Sequence, residues 1–163
     1  MGLGKTPVNK MSNSGSTTQV YNSTYRHGVD EKRRIQIPSM WRPSEPGIQL
    51  TLIVWPQRAE GSCLRVLPPK EMSELMADLD AMSNDDGRKT ILKRIIGSES
   101  TQVTLDKAGR ICVPEEMATA AGIKDEAVLV GMLDRFEIWN PALHEKVKAA
   151  DMVLASEAFK RME

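Results

Sequence analysis

The sequence predicts an α+β fold in which one β-rich unit occurs twice in tandem, with helices flanking the strands. Two internal matches carry this prediction. The segment DEKRRIQIP at 30–38 matches DKAGRICVP at 106–114, so each Asp precedes an Arg four positions later and an apolar strand that ends in proline. LRVLPP at 64–69 matches FEIWNP at 136–141. The offset is 76 positions in the first match and 72 in the second, which a longer loop in the first copy explains.

The chain before the first unit is predicted to be a disordered extension. Residues 1–23 are rich in Gly, Ser, Thr and Asn and contain few apolar side chains. Such a segment cannot bury enough apolar surface to offset the entropy of ordering it. The first unit then covers residues 24–82.

Short extended segments and one helix make up the first unit. YRHGV and RIQI flank the turn that begins at Asp30, QLTLIVW (49–55) is typical of a largely buried strand, and CLRVL (63–67) is predicted to be its partner. Pro68 and Pro69 start a helix, because proline is tolerated in a first turn. Apolar residues recur along this helix at helical spacing, and we expect the stripe to face the core: Met72, Leu75, Met76, Leu79 and Met82.

A connecting helix and a second unit complete the chain. SNDDGR ends the first helix, and RKTILKRII is predicted to form an amphipathic helix within a connection over residues 83–98. The second unit, residues 99–163, repeats the plan. Pro114 fits the first turn of a helix that Gly122 ends, AVLVGM and FEIW form a hairpin, and Asn140 caps a final helix.

Composition excludes several classes of protein. No apolar run is long enough to span a membrane and the N-terminus lacks the apolar stretch of a secretory signal, so we expect a cytoplasmic protein. Cys63 and Cys112 form no metal or redox motif, so we expect two partly buried thiols, no metal and no cofactor. Net charge is zero, yet residues 1–42 hold seven Lys or Arg against two acids. This asymmetry suits either a basic face for nucleic acid or a basic tail on an ordinary domain.

The repeated turn has a definable chemistry. The Asp106 carboxylate can accept hydrogen bonds from the backbone N–H groups that follow it, and it can pair with Arg110 and fix the direction of the guanidinium. Gly109 can take the left-handed conformation that closes a bulged hairpin. In the first copy Arg33 stands where the second has Gly109. Either Arg33 adopts a strained left-handed conformation, or the first turn takes another form.

These features together resemble the MraZ family of bacterial transcriptional regulators, over roughly residues 24–160. The most specific part is LDKAGRICVPEEMATAAGI followed by VLVGMLDRFEIW. The resemblance implies two AbrB-like swapped-hairpin repeats that form one pseudo-twofold barrel, a ring-shaped homo-oligomer, and sequence-specific binding to repeated operator boxes in double-stranded DNA. It also implies a nucleoid-associated regulator that usually represses the division and cell-wall gene cluster, including its own operon.

The resemblance also assigns site residues, because this family reads DNA with an Asp-x-x-x-Arg motif. It carries DNA reading over to the motif residues Asp30 and Arg34 and to Asp106 and Arg110. On charge and position we add Lys32, Arg33 and Lys107 as DNA-binding residues, and we expect Asp30, Asp106 and Gly109 to orient the arginines, because a carboxylate near a phosphate is repelled. A guanidinium fork matches guanine O6 and N7 in the major groove, whereas lysines suit phosphates. Because the first turn lacks its glycine, we expect Arg34 to hold a phosphate and Arg110 to read a base.

Two other functions compete with DNA binding. AbrB-like barrels also serve as antitoxins, protein-binding modules that usually have one barrel repeat and a disordered tail that wraps the toxin. Here the repeat is internal and the predicted tail is N-terminal. An enzyme is not expected, because His27 and His144 are the only imidazoles and neither has a nucleophile or a carboxylate pair in motif context.

Overall fold

Antiparallel strands dominate the fold. In the computed structural model, which describes residues 19–57 and 61–163, eight strands form two sheets with four α-helices around them. The first unit contributes β1 (Thr24–Gly28), β2 (Arg34–Gln36), β3 (Leu50–Gln57), β4 (Gly61–Leu67) and α1 (Pro69–Ala81), and α2 (Arg88–Ser98) follows it. The second unit contributes β5 (Ser100–Val103), β6 (Arg110–Cys112), α3 (Glu115–Ala121), β7 (Glu126–Gly131), β8 (Phe136–Trp139) and α4 (Pro141–Lys160). The predicted α+β class is confirmed.

The strands of the two units interleave. The larger sheet has the order β1-β7-β8-β4-β3-β5, so the first strand of each unit pairs with the hairpin of the other unit. Strands β2 and β6 pair with each other and form the second sheet. Neither unit therefore completes its own sheet.

Two residue pairs mark the centre of this arrangement. Arg65 lies opposite Glu137 in the β4–β8 pair, and Ile35 lies opposite Ile111 in the β2–β6 pair. Each pair joins residues that the sequence repeat makes equivalent, 72 positions apart in the first case and 76 in the second. The strand pairing is thus approximately symmetric about both pairs.

The core forms between the two sheets and is rich in aromatic and branched side chains. Trp41, at the end of the short 3-10 turn Ser39–Trp41, packs against Phe136 with ring centroids 4.9 Å apart, and Tyr21 contacts both rings. Ile35 and Ile111 are fully buried, which turns their neighbours in β2 and β6 to the opposite face. Each fully buried side chain of this size contributes about 1.5–3 kcal/mol to folding.

The fold begins earlier than the sequence pattern predicts. Residues 1–18 of the predicted extension lie outside the described residues, whereas residues 19–23 belong to the fold. Tyr21 is buried, and its backbone exchanges two hydrogen bonds of 2.8 Å with Leu133. Its carbonyl passes so close to Gly131 that a Cβ at that position would collide with it. Val20 and Tyr21, two apolar residues between polar ones, are too weak a pattern to reveal this.

Two further expectations about burial are wrong. Of the apolar stripe on α1 only Leu79 is buried, and Met76 is largely exposed, because the described part of the chain covers one edge of that helix. The cysteines are not both partly buried, since Cys63 is fully buried and Cys112 is exposed. No helix among the described residues has the length and apolar character needed to cross a membrane.

Helix α4 begins where the sequence predicts. The Asn140 side chain accepts a hydrogen bond from the Leu143 N–H at 2.9 Å, and its amide donates to the Gly122 carbonyl at 2.8 Å. Gly122 itself has φ +67° and ends α3. The cap therefore ties the end of α3 to the start of α4.

A buried ion pair lies at the centre of the larger sheet. Glu137 accepts hydrogen bonds from Arg65 Nε and from Trp139 Nε1, both at 3.0 Å, and its side chain is 7% exposed. The Arg65 guanidinium also lies 4.1 Å from the ring centroid of Trp55. Burial, with Glu137 nearby, raises the pKa of the Cys63 thiol to about 12, so this thiol stays protonated at neutral pH.

We predict that Arg65→Met lowers the free energy of unfolding by about 3–5 kcal/mol at pH 7, because it leaves the Glu137 carboxylate buried without a positive partner. Arg65→Met combined with Glu137→Gln should recover part of this loss, since the amide keeps an acceptor for Trp139 without a charge. Urea unfolding at fixed protein concentration measures both variants. A double variant as unstable as the single one would contradict the explanation.

Candidate nucleic-acid interface

Asp30 holds the first hairpin turn together. Its Oδ1 accepts hydrogen bonds from the backbone N–H of Lys32 at 2.9 Å and of Arg34 at 2.8 Å. Its Oδ2 accepts one from Arg34 Nε at 2.7 Å. One carboxylate therefore fixes both the backbone of the turn and the direction of the arginine side chain.

Asp106 holds the second turn in the same way. Its Oδ1 accepts from the backbone N–H of Ala108 and of Arg110, each at 2.9 Å, and its Oδ2 accepts from Arg110 Nε at 3.0 Å. Arg34 and Arg110 are also equally accessible, with about a third of each side chain exposed. Sequence-equivalent residues thus make equivalent bonds in both copies.

The backbone conformation of Arg33 shows which form the first turn takes without a glycine. It has φ +61°, in the same left-handed region as Gly109 at φ +82°, so the first turn keeps the form of the second and the alternative of a different turn is wrong. For a residue with a Cβ this conformation costs about 1–2 kcal/mol. The Arg33 Nε donates to the Val113 carbonyl at 2.9 Å, a bond to β6 and its neighbours that holds the strained residue in place.

The β2–β6 ribbon brings the two arginines onto one face. Arg34 lies opposite Cys112 and Gln36 opposite Arg110, with the buried isoleucine pair between them pointing to the core. Arg34 and Arg110 therefore occupy diagonal positions, which lie about 7–8 Å apart in an antiparallel pair. The outer face of the ribbon therefore carries both arginines, each with its guanidinium oriented by its own aspartate.

The remaining residues predicted from the sequence lie in the same two turns. Lys32 and Lys107 are exposed, two positions and one position after their aspartates. Sequence reasoning missed Arg42, whose guanidinium lies against Gly109. Its only signal in the sequence is its place within the basic stretch over residues 1–42.

Folding lowers the pKa of both aspartates. For Asp30 the main cause is the hydrogen bond from the Arg34 backbone N–H, supported by the Arg34 guanidinium, and for Asp106 the corresponding groups of Arg110 act in the same order. A lowered pKa means that each carboxylate stabilises the folded turn above its ordinary pKa. This contribution is lost as the pH falls through the folded value, so both turns are intact at neutral pH.

Comparisons with known proteins find relatives of this chain among bacterial regulators. A family model described as "MraZ protein, putative antitoxin-like" matches residues 96–162, which include the second hairpin. A protein of Caulobacter vibrioides named transcriptional regulator MraZ is 30% identical to this chain over 135 residues, which are 83% of this chain and 86% of that protein. Proteins of the same name are similar in Thermomicrobium roseum, with 30% identity over 72% of this chain and 79% of that protein, and in Rickettsia rickettsii, with 29% over 85% and 93%.

We predict that the pKa of Asp106 stays below its ordinary value in Arg110→Ala, because the backbone N–H groups that bind the carboxylate remain. It should rise only in part, since the guanidinium is the smaller cause. A pH titration of labelled aspartate carboxyl carbons by NMR measures this shift, with Asp30 in the same sample as the internal reference. A return of Asp106 to its ordinary pKa would show that the ion pair, and not the backbone, holds the turn.

Proposed function

This chain belongs to the MraZ family, and we propose that it is a transcriptional regulator that binds double-stranded DNA through its two Asp-x-x-x-Arg hairpins. The observation that carries the proposal is the matched orientation of Arg34 and Arg110 on the outer face of the β2–β6 ribbon. Each guanidinium is held through Nε alone. Among residues 19–57 and 61–163, no acceptor binds the Nη groups of either arginine.

An arginine held in this way is prepared to read a base. The fork of a guanidinium donates two parallel hydrogen bonds to guanine O6 and N7, and a side chain fixed in advance loses less entropy when it binds. The major groove of B-DNA admits a two-stranded ribbon. A ribbon with two arginines on its outer face therefore suits recognition of adjacent bases, with Lys32, Arg33 and Lys107 near the phosphates.

Equal bonding in the two turns favours equal roles. The expectation that Arg34 holds a phosphate depended on a poorly aimed first turn. Since Asp30 orients Arg34 with the same bonds by which Asp106 orients Arg110, the first hairpin is as well suited to read a base as the second.

The interleaved sheet supports a finer description of the fold. We infer that the two units are AbrB-like swapped-hairpin repeats that together form one pseudo-twofold barrel. The exchange of β1 and β5 between the units supports this, and so does the symmetric register about the Arg65–Glu137 and Ile35–Ile111 pairs.

Exposed apolar helix faces support a homo-oligomer. The outer half of α4 and the chain just past its end expose a run of apolar side chains, namely Leu154, Ala155, Ala158, Phe159 and Met162. Helix α2 exposes Ile91 and Ile95. We propose that such faces are covered between copies in a ring. A ring increases the overall affinity for repeated operator boxes, even if each site binds weakly. Once one copy is bound, the local concentration of the neighbouring copies at the next boxes is raised.

The target genes follow from the family resemblance alone. We propose that the protein represses the division and cell-wall gene cluster, including its own operon, and that it is associated with the nucleoid in the cytoplasm. The alternative is an antitoxin-like protein-binding module. The family model supports this alternative, because its description contains the words "antitoxin-like". Co-purification of a second protein in equal amount, without any affinity for operator DNA, would support the alternative.

We predict that Arg110→Ala weakens binding to DNA from upstream of the protein's own operon by about 1–3 kcal/mol for each chain engaged, the value of a lost bidentate base contact. Affinity for a scrambled duplex should change much less. Fluorescence anisotropy on both duplexes measures the difference, and gel filtration confirms that the oligomer is intact. Lys107→Ala is the matched control and should weaken binding to both duplexes alike.

We predict that Arg34→Ala causes the same operator-specific loss as Arg110→Ala and leaves the salt dependence of binding nearly unchanged. The reason is the equal orientation of the two guanidiniums. The measurement is a titration against operator and scrambled duplexes at several salt concentrations. An equal loss on both duplexes with a flatter salt dependence would assign Arg34 to a phosphate and refute its base-reading role.

A further inference from the structure

Arg42 occupies the space that Gly109 leaves open at the second hairpin. A Cβ built on Gly109 would collide with the Cζ, Nε and Nη1 atoms of the Arg42 guanidinium. Arg42 follows the 3-10 turn that ends at Trp41, and its Nε donates to the Ile37 carbonyl at 2.9 Å. A residue of the first unit thus completes the turn of the second.

Arg33 fills the equivalent place at the first hairpin with its own side chain. Its Nε bonds the carbonyl of Val113, which lies 76 positions after Ile37, so the two guanidiniums bind equivalent carbonyls. The backbone bonds around them are equivalent too, since Ile37 N donates to Gly109 O and Val113 N donates to Arg33 O, both at 2.9 Å. Each hairpin therefore has one guanidinium near its left-handed position. In the first hairpin Arg33 itself supplies it, and in the second Arg42 supplies it beside Gly109.

Within the described part of the chain, the charge of Arg42 has no carboxylate partner. Among the described ranges 19–57 and 61–163, no acidic side chain lies within ion-pair distance of Arg33 or Arg42. A carbonyl carries no formal charge, so the bond to Ile37 orients the guanidinium without neutralising it. Arg42 and Lys107 line one cleft between the second turn and the 43–48 loop, which also contains Asp106 and Glu45. The Asp106 carboxylate is already engaged by Arg110.

We propose that Arg42 and Lys107 form a phosphate-binding site that holds a DNA phosphodiester beside the base contacted by Arg110. The two hairpins then present matching sets, with a base-reading arginine, a lysine and a phosphate-binding guanidinium in each. This inference rests on the proposed function. It adds a residue outside the Asp-x-x-x-Arg motif to the interface, at the position where Gly109 contributes no side chain.

The test is Arg42→Gln, whose amide can still donate to the Ile37 carbonyl while the charge is lost. Affinity should fall by the same factor on operator and scrambled duplexes. The slope of log affinity against log salt should become shallower by about 0.9 for each chain engaged, the value for one phosphate contact. Lys148→Gln removes one positive charge from an exposed position in the first half of α4, outside both turns, and should leave the slope unchanged.

Three outcomes would overturn the proposal. A folded, correctly assembled Arg42→Gln with the wild-type slope would show that Arg42 only packs on Gly109. If Arg42→Gln does not fold, Arg42→Lys is the deciding variant. Because it keeps the charge, it should keep the wild-type salt slope. A shallower slope would assign the guanidinium a structural role. A wild-type protein without affinity for either duplex would remove the proposed function itself, whereas the first two outcomes leave that function intact.

Discussion

The rest of the structure depends on one constraint, which is that neither unit can satisfy its own strand edges. Within residues 19–57 and 61–163, the first strand of each unit pairs with the hairpin of the other unit, and β2 pairs with β6. Unpaired backbone groups in a buried sheet are costly, so the two units fold together or not at all. The β2–β6 pairing also fixes the distance between the two aspartate turns. The spacing of the paired arginines is therefore a property of the core and not of mobile loops.

Each turn combines a rigid backbone with guanidinium donors that face outward. A carboxylate that accepts two backbone N–H groups and one Nε closes the turn and leaves the outer donors of the guanidinium available. The strain at Arg33 shows that the turn form is imposed by its surroundings, because an arginine adopts there a conformation that suits glycine. The ribbon and the bond from Arg33 Nε to the Val113 carbonyl hold Arg33 in place. These contacts, which a glycine would not make, offset the free-energy cost of its left-handed backbone.

Local patterns made most of the fold and the centre of the site predictable. The hairpins, the Asn140 cap and the Asp–Arg turns follow from residues close together in the chain, and the structure contains them where the sequence placed them. Contacts between distant segments were not predictable. The burial of Tyr21 depends on Leu133 and Gly131, and the position of Arg42 depends on Gly109 in the other unit. The predicted burial of the apolar stripe on α1 was wrong because helical periodicity identifies an apolar face but not what covers it.

The unlike charges at the centre of the larger sheet have a consequence for the two halves of the chain. The Ile35–Ile111 pair would be unchanged if both halves were copies of either one, but the Arg65–Glu137 pair would not. Two first halves would bury two facing guanidiniums, and two second halves would bury two facing carboxylates, each with the repulsion of like charges in a medium that screens poorly. The two halves are therefore electrostatically complementary at this position, whereas two identical halves would repel each other there.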